Sequence, residues 1–114
     1  MISKNKETHL YLKFDNNKKD ALDSDLLSFN FTSDVILDLS SFETIDKTLV
    51  SSLNQINHNI VSVGFCLVVV LKESPSITNI ESLNIVPTMI EAEDYLQIEQ
   101  IQRDLGTSLW NLLF

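Results

Sequence analysis

DVILDLSSFETIDKTLVSSLNQINHNIVSVG, residues 34–64, holds two patterns of different period joined by a short polar turn. Val35, Ile36, Leu37 and Leu39 form an apolar run rich in β-branched residues, the composition of a strand buried on both faces. After the turn, Leu49, Val50, Leu53, Ile56 and Ile60 fall at i, i+1, i+4, i+7 and i+11, one stripe of a helix over residues 46–62. Asp46 stands where its carboxylate can accept from the first orphan N–H groups, and Gly64 stands where a left-handed residue would end the helix. Burying each stripe residue stabilises by about 1.5–3 kcal/mol, against about 1 kcal/mol for the cap. The stripe therefore makes the helix, and the cap sets where it begins.

The flanking sequence extends this unit in both directions. Phe65–Leu71, FCLVVVL, is a continuous apolar run and predicts a second strand buried on both faces. Strand 34–39, helix 46–62 and strand 65–71 then form a βαβ unit, right-handed by the general rule. Upstream, His9–Phe14 reads as a strand with Leu10, Leu12 and Phe14 on one face and Tyr11 on the other. Asp15, Asn16 and Asn17 supply turn chemistry, and Ala21, Leu22, Leu26 and Leu27 predict a short helix from about Lys19 to Ser28. Downstream, Thr78–Leu83 reads as a short helix stopped near Asn84. Ile85–Val86 reads as a short strand that Pro87 confines to an edge. A last helix is predicted over about 91–105, with Glu91, Glu93 and Asp94 in the first turn, where the helix dipole favours acids. Its apolar face is expected from Ala92, Tyr95, Leu96, Ile98, Ile101 and Leu105, and Gly106 ends it.

Composition bounds the class. The 114 residues, 44% of them hydrophobic, predict one α/β domain over 1–114, with an apolar tail at 106–114. A lone cysteine, Cys66, excludes an internal disulfide, and the polar start of the chain is unlike a signal peptide, so a cytoplasmic protein is expected. The net charge is −8, and residues 73–104 hold seven acids against Arg103 alone. Such a field repels phosphate backbones and anionic lipid, so neither nucleic acid nor membrane is the expected partner.

VILDLSSFETIDKTLVSSL, residues 35–53, resembles the central strand, loop and helix of STAS domains, the fold of bacterial anti-sigma-factor antagonists. The likeness rests on the Asp38-Leu39-Ser40 run and on Asp46 opening the helix, and it extends over about 34–105. It implies a small mixed sheet of about four strands with packed helices around a βαβ core. Members usually carry two strands and a helix before the central strand, so with residues 15–33 available this half is expected to be shortened or irregular. The family places a phosphorylated Ser or Thr directly after the Asp, followed by a Gly in the helix opening. This chain has Lys47 at the first position and no Gly in Asp46-Lys47-Thr48-Leu49.

Three function classes follow. The resemblance implies a non-catalytic regulatory interaction module. Its partner would be an anti-sigma or related regulatory kinase, or another STAS protein, met as a monomer or weak dimer. Asp46, Lys47, Thr48, Ser51 and Asn54 are the expected partner-binding residues, and Thr48 is the displaced candidate for phosphorylation. The second class is a small assembly subunit self-associating through the apolar tail, which includes Trp110. The third is a small enzyme using Thr48 or Cys66. It lacks a candidate general base, and His9 and His58 have no ligand spacing around them, so no catalytic residue, metal or cofactor is expected. His58 reads as a solvated surface histidine and Cys66 as a packing residue.

Overall fold

The computed structural model describes residues 2–5, 9–15, 19–42, 46–72 and 83–104. In chain order these form β1 (Ile2–Asn5), β2 (His9–Lys13), α1 (Lys19–Leu26), β3 (Asp34–Asp38), α2 (Lys47–Ser62), β4 (Leu67–Val70), β5 (Asn84–Val86) and α3 (Met89–Asp104). The strands make one sheet in the order β1-β2-β3-β4-β5. β1 runs antiparallel to β2, and every other neighbouring pair is parallel.

The layering follows from handedness. The crossovers β2-α1-β3 and β3-α2-β4 both step in the same direction across the sheet, so right-handed connections place α1 and α2 on one face. That layer joins Leu22 and Leu26 of α1 and Leu49, Leu53, Ile56 and Ile60 of α2 to Leu12, Val35, Leu37 and Val69 of the sheet. The opposite face carries α3, with Ala92 and Leu96 packed with Ile36, Val68 and Val70. Both faces of β3 and β4 are thus covered, which is why their sequences are continuous apolar runs.

Helix α2 begins and ends as its sequence predicts. Asp46 is the N-cap, its Oδ1 accepting from the Leu49 N–H at 2.8 Å. Gly64 has φ +92°, its N–H donates to the Val61 carbonyl, and the Phe65 N–H reaches back to Ile60. This pair of bonds is the Schellman arrangement, which requires the left-handed residue that glycine supplies without strain.

Four departures from the sequence reading have physical causes. A further strand, β1, pairs with β2, so two strands and a helix do precede β3 and the first half is not shortened. Strand β5 starts one residue early, at Asn84, the residue near which a short helix was expected to stop: its backbone pairs with Val68 and its Nδ2 donates to the Leu67 carbonyl at 3.1 Å. Residues 78–82 of that expected helix lie outside the described residues, as does the tail with Trp110. Helix α3 starts two residues early, at Met89, with the Thr88 hydroxyl accepting from the Glu91 N–H. Its sheet-facing line is Ala92, Leu96, Glu99 and Arg103, at i, i+4, i+7 and i+11. Ile98 and Ile101 lie around the helix from that line and are 53% and 46% exposed.

Candidate functional site

The carboxyl ends of the parallel strands and the start of α2 form the region where open α/β sheets usually bind their ligands. Asp38, the last residue of β3, is buried there and organises the turn. Its Oδ2 accepts from the Tyr11 hydroxyl at 2.6 Å and its Oδ1 from the Ser40 N–H at 2.9 Å. The Phe42 N–H closes onto the Leu39 carbonyl, and the Ser41 hydroxyl donates to the Phe14 carbonyl at 3.2 Å. The turn is thereby tied to the ends of both β2 and β3 before the chain reaches Asp46.

Burial alone would raise the Asp38 carboxyl. The donated bonds from Tyr11 and Ser40, with the charge of Lys13, outweigh it and hold the group below its ordinary value. The same contact pushes the Tyr11 phenol from 10.0 up to about 12, through burial first and the Asp38 carboxylate second. The sign is fixed by linkage. Tyr11 contributes stability that is fully present below pH 10 and lost as pH rises toward 12, whereas Asp38 contributes above its unfolded value and loses it in acid. Tyr11→Phe is expected to cost about 1.5–3 kcal/mol, the range for a bond to a charged group. It should also flatten the stability profile between pH 10 and 12, and urea melts at stepped pH check both effects.

On α2, Lys47, Thr48 and Ser51 are exposed and Asn54 is half-buried. Lys47, Ser51, Asn54 and His58 lie along one side of the helix, opposite the stripe that faces the sheet. The structure brings Asp46, Lys47 and Thr48 together at the helix opening, with Ser51 one turn on from Lys47 and Asn54 nearly two. Tyr11 was not among the residues singled out for the site, and Asp38 was noted only within its tripeptide. The available signal was a carboxylate closing an otherwise apolar strand, where a buried charge requires partners.

The groups that could carry chemistry are dispersed. Cys66 is partly buried, and its thiol is pushed up to about 11 by burial, then by the Glu99 and Asp34 charges, with Arg103 opposing. At neutral pH it is therefore a protonated, weakly nucleophilic thiol. Among the described residues no group of His, Cys, Asp and Glu could hold a metal ion. No described helix is long and apolar enough to cross a membrane.

A second polar centre sits at the other end of β3. Asp34 is buried and accepts from the Cys66 N–H at 2.9 Å, from Gln100 Nε2 at 2.8 Å and from the Arg103 guanidinium at 2.5 Å. Tyr95 donates to Asn84 at 2.8 Å nearby. These bonds fasten the polar end of α3 to the amino ends of β3 and β4, and they read as structural.

No protein-family model matches the chain, and no curated protein matches it. Among solved structures, the chain is similar to the 1.59 Å crystal structure of a "putative anti-sigma factor antagonist" from Thermotoga maritima. The two share 19% sequence identity with a TM-score of 0.57, over 84% of this chain and 93% of that one. At this identity the likeness is one of fold.

Proposed function

We propose that this protein is a non-catalytic regulatory module that binds a protein partner through the opening and exposed side of α2. The observation that carries the reading is the polar, accessible line Lys47, Thr48 and Ser51 beside the Asp46 cap, on a fold similar to that of the Thermotoga maritima protein. Asp38 ties the start of the turn before α2 to β2, and Asp46 caps the helix itself, bonds that hold part of the surface in place and so lower the ordering cost of association. The partner that fits the STAS resemblance is an anti-sigma or related regulatory kinase, or another STAS protein. Thr48 is the residue for regulation: phosphate there would add up to about two negative charges at the centre of the binding surface.

Affinity capture with the wild-type chain and with Ser51→Arg, followed by calorimetry on each retained protein, tests this assignment. Ser51 is exposed, so the substitution should leave stability within about 0.5 kcal/mol. A regulatory kinase or STAS protein held by the wild type should bind Ser51→Arg and Thr48→Glu at least tenfold more weakly, about 1.4 kcal/mol. Equal affinity for all three chains would move the binding surface away from α2.

A further inference from the structure

Helix α3 lies on the sheet through Ala92 and Leu96, and its opposite side meets solvent. On that side Ile90, Asp94, Ile98 and Ile101 fall at i, i+4, i+8 and i+11, one row about 16 Å long. Ile90, Ile98 and Ile101 are 74%, 53% and 46% exposed, and Asp94 is exposed between the first two. Glu91 and Glu93, also exposed, flank the row near its start. None of the three isoleucines belongs to the core layer that α3 shares with the sheet.

Folding does not account for this row. On an exposed helix face a β-branched residue is a poorer helix former than Leu, Lys or Gln, and water gives it nothing in return. Apolar residues scatter singly over most surfaces, but three in line on one helix are the pattern of a face that packs. Glu91 has a local role, since it sits in the first turn, where the helix dipole favours an acid. Asp94 does not, because a helix that starts at Met89 places it in the second turn. Its neighbours three and four residues away are Ile90, Glu91, Gln97 and Ile98, which include no base.

We propose that this face of α3 docks an amphipathic helix of another protein, apolar along one stripe and basic beside it. Charge decides the class of occupant. The sequence of α3 holds five acids and one base, and that base, Arg103, is bound to Asp34. A Lys or Arg entering between Ile90 and Ile98 would meet Asp94 while its apolar neighbours cover the isoleucines. A wholly apolar partner would strip water from Asp94 and supply no charge in exchange. A second copy laid face to face across a two-fold axis would set these acids against their own kind. Nucleic acid and anionic lipid are repelled by the same field. The row matches about three turns of a partner helix. It lies across the sheet from α2, so it is independent of the surface proposed there and both can be occupied at once.

The test uses the full chain and two labelled peptides of about 15 residues, each with leucine on one helical face. The other face is lysine in one peptide and glutamate in its counterpart. Fluorescence anisotropy at about 0.15 M salt is expected to show saturable binding of the lysine peptide and none of the glutamate peptide. Ile98→Gln combined with Ile101→Gln should weaken the lysine peptide at least about tenfold, and Asp94→Lys several-fold. Ser51→Arg, on α2, should bind it as the unsubstituted chain does. All four positions are exposed, so far-UV circular dichroism should not change. Amide shifts in the unsubstituted chain should move along α3 on adding the lysine peptide, a measurement that needs no variant to fold. Failure of the lysine peptide to bind overturns the proposal. So does binding that the double glutamine substitution leaves unchanged, which would be attraction of charge alone. Shifts centred on α2 would place the peptide there instead. Light scattering that shows a dimer broken by the glutamine substitutions would give the face to a second copy, and this too overturns it.

Discussion

Asp34→Ala is expected to cost about 2–4 kcal/mol, the effect of removing one buried carboxylate from several partly buried donors. Asp34 takes the Cys66 N–H, Gln100 and Arg103 at once while itself only 3% exposed. Its alanine replacement strands the Cys66 amide at the start of β4 and releases Gln100 and Arg103 of α3 from the end of β3. The ion-pair share is discounted, because the Arg103 side chain is 40% exposed and water screens it. Urea denaturation should show a lowered midpoint at unchanged slope. Hydrogen exchange should speed up in the last turn of α3 while α2 stays protected, since Asp34 fastens the first and not the second. Asp34→Asn should be milder, because an amide oxygen still serves Cys66. A midpoint for Asp34→Ala indistinguishable from wild type would show that the polar end of α3 contributes nothing to holding it on the sheet.

Leu53→Ala is the other large effect, about 2–5 kcal/mol, the range for truncating a fully buried leucine. Leu53 is 1% exposed at the middle of the α2 stripe, inside the layer shared with α1 and the sheet. Covered by α2 on one side and the sheet on the other, the cavity can collapse only by moving elements pinned at both ends, at the Asp46 cap and at Gly64. Ser51→Arg, two residues away on the opposite side, should leave the melting temperature nearly unchanged. The pair separates the role of α2 in folding from its proposed role in recognition. A Leu53→Ala loss below about 1 kcal/mol would mean that the layer beneath α2 relaxes in a way close-packed interiors rarely do.

The βαβ unit was legible because its signals are local and redundant: two apolar runs, one helical stripe and caps at both ends agree with one another. Elements defined by remote partners were not. Ile2-Ser3-Lys4-Asn5 has no alternating apolar pattern, and it is a strand because β2 offers it an edge. Asn84 carries a residue type common at helix ends, yet it is set by β4 and by Tyr95, 17 and 11 residues away. Helix α3 was found with Ala92, Tyr95 and Leu96 on its sheet side as expected, but Ile98 and Ile101 are not there, since the sheet-facing line turns polar at Glu99 and Arg103. Only the buried Asp34, 69 residues from Arg103, explains that choice. The proposed site divides the same way: Asp46 was read as a cap from its place before the stripe. The brace in the preceding turn, Tyr11 on Asp38, spans 27 residues, and its one local sign is the carboxylate that closes an otherwise apolar strand.

The three-residue strand β5 closes the described sheet on one side, and Pro87 follows it at once. A visiting strand needs a run of backbone N–H and C=O groups to grip, and this border offers three residues before reaching one that cannot donate. The two parallel runs of highest β-propensity, at β3 and β4, are the interior members of the sheet, enclosed by β2 and β5. These segments of high β-propensity are thus kept away from the rims of the described sheet, and this flank is guarded against open-ended pairing of one copy with the next.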